Sequence, residues 1–111
     1  VVGDGTFGFH CSEIDTAVRY QLPFLLIVGN DACWNAEHQI QIREYGQARV
    51  IGCELLPTNY EKVCVAFGGF GEQVTAKEQV LPAAHRAIAS KLPSCLNIMI
   101  DGIPAPNIRR A

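Results

Sequence analysis

The chain has 111 residues, enough for one domain with a modest core. Apolar residues make up 49 % of it, too many for a chain that stays disordered. A net charge of -2, with lysines and arginines scattered apart from Arg109-Arg110, leaves no basic footprint for nucleic acid.

Val1-Val2 reads as the end of a strand running into a tight turn, Gly3-Asp4-Gly5. Ser12-Glu-Ile-Asp15 has the form of a capping box. It predicts a helix with Ile14, Ala17 and Val18 on its apolar face, stopped by Leu22-Pro23. Phe24–Val28 is a continuous apolar run ending in Gly29-Asn30-Asp31. Such a run suits a strand buried on both faces and is far too short to cross a bilayer. Thr58-Asn-Tyr-Glu61 is a second capping box. Tyr60, Val63, Cys64 and Phe67 follow at helical spacing, and Gly68-Gly69 ends that helix. A strand is expected near Glu72-Gln73-Val74. Thr75-Ala-Lys-Glu78 opens a further helical stretch, whose main helix is expected from Pro82 to Lys91 because proline suits a first turn. Leu96–Ile100 is the last buried strand, ending in Asp101-Gly102.

Strands alternating with helices predict an α/β domain, a three-layer parallel sheet with flanking helices, over 1–111. The five cysteines, at 11, 33, 53, 64 and 95, are odd in number and lack a Cys-x-x-Cys pair. That spacing fits neither a zinc site nor a disulfide framework, and the plain reading is reduced thiols in a cytoplasmic protein.

Ligands of parallel sheets bind at the carboxyl ends of the strands. Two such ends carry acidic turns, Gly3-Asp4-Gly5 and Gly29-Asn30-Asp31. If their strands are neighbours, Asp4 and Asp31 converge. Two carboxylates, a carbonyl after Asp31 and the amides of Gly5 and Thr6 would suit a hard divalent cation that also holds a phosphate. The alternative at this level is that each Asp is a turn former or helix cap.

The stretch GDGTFGFHCSEIDTAVRYQLPFLLIVGNDACW resembles the cofactor-anchoring motif of thiamine diphosphate enzymes, which runs from Gly-Asp-Gly to a paired Asn after a buried strand. It is most similar to the acetolactate synthase-like branch, and Leu22-Pro23, Phe67-Gly68-Gly69 and Pro93 with its strand extend the likeness over nearly the whole chain. The resemblance implies that Asp4, Asp31 and the main-chain carbonyl of Cys33 bind magnesium, the Cys33 thiol being incidental. It implies that Asp4, Gly5, Thr6, Asn30, Trp34 and Asn35 contribute to binding thiamine diphosphate. The amides of Gly5 and Thr6, and those at a helix start near Trp34 and Asn35, would meet the diphosphate. Two positions depart from the pattern: Asp31 stands where most relatives have Asn, adding a negative charge, and Asn35 where glycine is common.

The family's chemistry on 2-oxo acids, decarboxylation or carboligation, belongs to the cofactor. The glutamate that activates it lies on a separate domain, usually of a partner subunit. The chain therefore looks like the C-terminal, N-terminally truncated piece of a longer enzyme, not active alone, working beside other domains or as a homo-oligomer. The contrasting hypothesis is a non-catalytic α/β assembly module. His10 could donate a proton near the turn but reads more simply as a partly exposed neighbour. Glu37 and His38 are expected on the cofactor-side helix or in solvent, and His85 on a surface helix. Glu13 and Asp15 read as helix-start charges. Gly68-Gly69-Phe70-Gly71 follows a helix rather than a strand, so it fails as a phosphate loop. The stretch from Pro104 to Pro106 and Arg109-Arg110 read as an irregular terminus.

Overall fold

The computed structural model describes residues 1–104, so the expected irregular terminus at Pro106 and Arg109-Arg110 lies outside the described residues. Four strands form one parallel sheet: β1 (Val2–Gly3), β2 (Leu25–Asn30), β3 (Phe70–Val74) and β4 (Ser94–Met99), in the order β1-β2-β4-β3. Side chains alternate across a strand, and β4 shows the consequence. Cys95 packs with Phe7, Ile14, Val28, Tyr60 and Cys64 on one face, while Leu96 packs with Val74, Ala83 and Ala87 on the other. The first face is covered by α1 (Asp4–His10), α2 (Glu13–Arg19) and α4 (Tyr60–Ala66), and the second by α5 (Lys77–Ala89). The expected three layers are present. A further helix, α3 (Asn35–Tyr45), leaves the carboxyl end of β2 and buries none of its residues.

Several local expectations change. Gly3-Asp4-Gly5 is not a turn: β1 passes directly into α1, with Gly3 as extended N-cap at φ -77° and ψ 159°. Neither capping box forms. Ser12 makes no side-chain cap bond, and Asp15 pairs with Arg19 at 2.8 Å instead. Asn59, not Thr58, precedes α4, and Glu61 turns inward and is buried. The end of α4 does follow the expectation. Gly68, at φ +96°, donates to Val65 and Gly69 to Cys64, the paired bonds of a glycine C-cap.

The last helix runs Lys77–Ala89 rather than Pro82 to Lys91, with Pro82 inside it. It starts early because the Gln79 side-chain oxygen accepts from the amides of Thr75 and Ala76. The bond lost at Pro82 would have gone to the Glu78 carbonyl. Both residues are exposed, so solvent can take its place, while Val80, Ala83, Ala84 and Ala87 keep the apolar face. His85 is exposed, as expected of a surface helix. The five cysteines are unpaired, and burial pushes Cys64 up to about 11 and Cys95 up to about 12. No helix among the described residues is long and apolar enough to cross a membrane.

Candidate functional site

Because β1 and β2 are parallel neighbours, paired Val2 to Val28 and Gly3 to Gly29, their carboxyl ends share one edge. Asp4 and Asp31 follow those ends directly, and both line an open cavity of about 320 Å³. Gly5, Thr6, Cys33, Trp34, Asn35 and Glu37 line it too. Among the described residues of its wall, none is a lysine, an arginine or a histidine.

Asp4 is 2 % exposed, and its Oδ2 has no hydrogen-bond partner, a costly arrangement for a buried acceptor. Burial pushes its carboxyl above the ordinary carboxylate value. The Gly5 amide pulls it back in part, and the nearby Asp31 charge raises it further. The Asp31 carboxylate faces Gly102, where a side-chain carbon would lie 3.6 Å from Oδ2.

Ala32 and Cys33 carry the chain past this edge. Cys33 forms an antiparallel bridge with Glu54, made by Trp34 N–H to the Cys53 carbonyl at 2.8 Å and Leu55 N–H to the Ala32 carbonyl at 2.7 Å. In that pattern the flanking residues bond and the bridge residue's own N–H and C=O point the other way. The Cys33 amide accordingly reaches Asp4, and its carbonyl shares that side. Burial, with Asp31 beside it, pushes the Cys33 thiol up, so it is a poor nucleophile.

Trp34 contributes its ring rather than its amide, which is committed to Cys53. The indole lies across Gly5, where an added side-chain carbon would come within 2.8 Å of it. That close approach, not a left-handed backbone, is what requires glycine there. The free amides of α3 begin at Asn35, as the first residues of a helix have no internal acceptor. The Asn35 side chain turns to the C-terminal segment, donating to the Ile103 carbonyl at 3.0 Å.

Asn30 stands apart from this wall. It is fully buried, and its carboxamide bonds inward to Thr58 and Asn97 and outward to the Ala32 amide. His10 is exposed on α1 and does not line the cavity. Glu37, expected on the cofactor-side helix or in solvent, does line it as a third carboxylate. Sequence reasoning missed Asn97 and the inward turn of Glu61. The signal for the first was a polar residue inside the apolar run Leu96-Asn-Ile-Met.

Fold and site together define an α/β domain with a carboxylate-bearing, amide-bordered cavity at the carboxyl ends of parallel strands. The family model described as thiamine pyrophosphate enzyme, C-terminal TPP binding domain, matches residues 1–98, and the chain belongs to that family. A probable acetolactate synthase of Mycobacterium bovis is 40 % identical over 100 residues, covering 89 % of this chain and 18 % of the relative. A 2-hydroxyacyl-CoA lyase 2 of Danio rerio is 31 % identical over 105 residues, covering 90 % of this chain and 17 % of the relative. The chain thus spans under a fifth of the length of these curated relatives. Among solved structures, benzoylformate decarboxylase from Polynucleobacter necessarius superposes with a TM-score of 0.84 at 22 % identity, over 96 % of this chain and 20 % of that one. A 4-hydroxybenzoylformate decarboxylase of Rhodococcus jostii gives 0.82 at 18 %, over 90 % of this chain and 19 % of that one, and both likenesses bear on the fold alone.

Proposed function

We propose that this chain anchors thiamine diphosphate through Mg2+ as part of an acetolactate synthase-like or 2-hydroxyacyl-CoA lyase-like enzyme. The observation that carries the reading is the buried, unpartnered Asp4 Oδ2 at the edge of a cavity that Asp31 shares. An oxygen in that state needs a cation or a proton. The residues fit a hard divalent cation: the Asp4 and Asp31 carboxylates and the Cys33 carbonyl supply oxygen ligands only. Diphosphate oxygens and water would complete the usual six.

The amides of Gly5 and Thr6 at the start of α1, with those of Asn35 onward in α3, border the same space and suit the diphosphate. With three carboxylates and no cationic side chain on the described wall, the diphosphate depends on the metal for charge neutralisation. When bound, thiamine diphosphate supplies the electron sink for breaking or making a carbon–carbon bond beside a carbonyl. The chain's own residues hold the metal, orient the diphosphate and exclude a competing nucleophile by keeping the Cys33 thiol protonated. The substrate is a 2-oxo acid in the acetolactate synthase-like form of this reading, and the residues that contact it, with the cofactor-activating glutamate, come from other domains or a partner subunit.

Thermal shift of the chain with Mg2+ alone, thiamine diphosphate alone and the two together tests this. Joint stabilisation exceeding the sum of the separate shifts is expected. A folded chain indifferent to the pair would favour the non-catalytic assembly module instead.

A further inference from the structure

Behind the cavity lies a buried polar chain that the proposed anchoring does not use. Its first link is at the site: Ala32 N–H donates to Asn30 Oδ1 at 3.1 Å. Asn30 Nδ2 then donates to Asn97 Oδ1 at 3.0 Å, and Asn97 Nδ2 to Glu61 Oε2 at 2.8 Å. Both amides also donate to the Thr58 carbonyl, at 3.0 and 3.1 Å. Asn30 and Asn97 are 0 % exposed and Glu61 6 %. The links join residues 36 and 67 positions apart, across β2, β4 and the first turn of α4.

The order of donors and acceptors is directional. A carboxylate can only accept, so Asn97 must turn its NH2 to Glu61 and its carbonyl oxygen to Asn30. Asn30 must then turn its NH2 to Asn97, which leaves its Oδ1 for Ala32. Two groups that only accept, the Glu61 carboxylate and the Thr58 carbonyl, thus dictate the orientation of both buried amides, and Glu61 is the one that a side-chain substitution can remove. The end of the chain is where orientation matters, because Ala32 is held at φ +54°, a conformation that non-glycine residues rarely adopt. Its carbonyl is fixed from the other side by Leu55 N–H at 2.7 Å. Asp31 and Cys33 flank it.

We propose that Glu61 and Asn97 are positioning residues that, through Asn30, lock the Ala32 amide and so set the direction in which Asp31 and the Cys33 carbonyl face the cavity. The binding readout rests on the thiamine diphosphate reading above; the exchange readout does not.

The test pairs amide hydrogen exchange by NMR with calorimetric titration of Mg2+ and thiamine diphosphate, on the unmodified chain, Glu61→Leu and Glu61→Gln. In Glu61→Leu the Ala32 amide should exchange at least about tenfold faster, with β4 amides unchanged, and cofactor affinity should fall about 10–100-fold, as when partners behind metal ligands are removed. Glu61→Gln keeps an acceptor oxygen and should restore both. A Glu61→Leu chain that melts earlier but keeps wild-type Ala32 exchange would overturn the proposal. If the unmodified chain binds no cofactor yet Ala32 responds to Glu61→Leu, the positioning stands and the cofactor reading fails. If Glu61→Leu does not fold, the side-chain amides of Asn30 and Asn97 in the unmodified chain decide: slow exchange at both supports the relay, and exchange as fast as a surface Asn overturns it.

Discussion

Gly5→Ala places one methyl group between α1 and the Trp34 indole, and the outcome can be worked from the contact. The new carbon would sit 2.8 to 2.9 Å from three ring carbons of Trp34. Carbon atoms rest at about 3.5–4.0 Å, so ring and helix must part by roughly 0.7 Å or more. The ring is not free to leave. The Trp34 backbone N–H donates to the Cys53 carbonyl at 2.8 Å, and Phe9 packs against the indole with centroids 5.1 Å apart. Overpacking of this kind costs about 1–3 kcal/mol. Alanine returns about 0.5–1 kcal/mol by its better helix propensity. The net expectation is a loss between about 0 and 2.5 kcal/mol, centred near 1 kcal/mol, with Tm falling by roughly 4 °C per kcal/mol for a domain near this size. Urea unfolding of Gly5→Ala, Trp34→Leu and the double variant is the assay. The double variant should recover part of the loss, a coupling of about 0.5 kcal/mol or more. A Gly5→Ala chain more stable than the wild type, with no coupling to Trp34→Leu, would refute the reasoning, since helix propensity alone would then govern this position.

Leu96→Ala, which empties a fully buried position packed against Val74, Ala83 and Ala87, should cost about 2–5 kcal/mol in urea unfolding. Asp4 gives the pH dependence: its folded carboxyl lies above the ordinary 3.8, so its contribution is complete below that value and is lost as pH rises through the folded value. Without metal, Asp4→Asn should therefore gain stability relative to wild type as pH rises from about 4 toward neutrality, and a difference flat with pH would count against the buried-carboxyl account. Asp31→Asn removes one charge from a wall without cations, so Mg2+ binding in the absence of diphosphate should weaken about tenfold or more by calorimetry.

What could be read in the chain and what could not follow from the range of the interactions. Phe24–Val28 and Leu96–Ile100 announced buried parallel strands because a two-sided strand must be apolar throughout. Gly68-Gly69 announced a helix end because a positive φ selects glycine locally. Asp4 and Asp31 were legible as a pair once their strands were assumed adjacent, and the β1–β2 register supplies that adjacency. Local patterns misled where a distant partner won. Ser12 and Thr58 looked like caps, but Asp15 found Arg19 and Glu61 found Asn97. Proline looked like a helix start, yet Pro82 sits on the solvent side, where the lost bond costs least. The reason for Gly5 is an indole 29 positions later in the chain, and the partner of Asn30 is a residue 67 positions away. No window of local sequence contains such pairs.

The central claim is that the Asp4 and Asp31 carboxylates hold a divalent cation that in turn holds a diphosphate. Titration of thiamine diphosphate into the wild-type chain and into Asp4→Ala, each with and without Mg2+, tests it most directly. Binding to the wild type only when Mg2+ is present, and none to Asp4→Ala under either condition, is the predicted result. At a ligand concentration 100 times Kd the wild type should also gain about 2.7 kcal/mol against unfolding. Equal binding by both chains, or wild-type binding indifferent to Mg2+, would contradict the account.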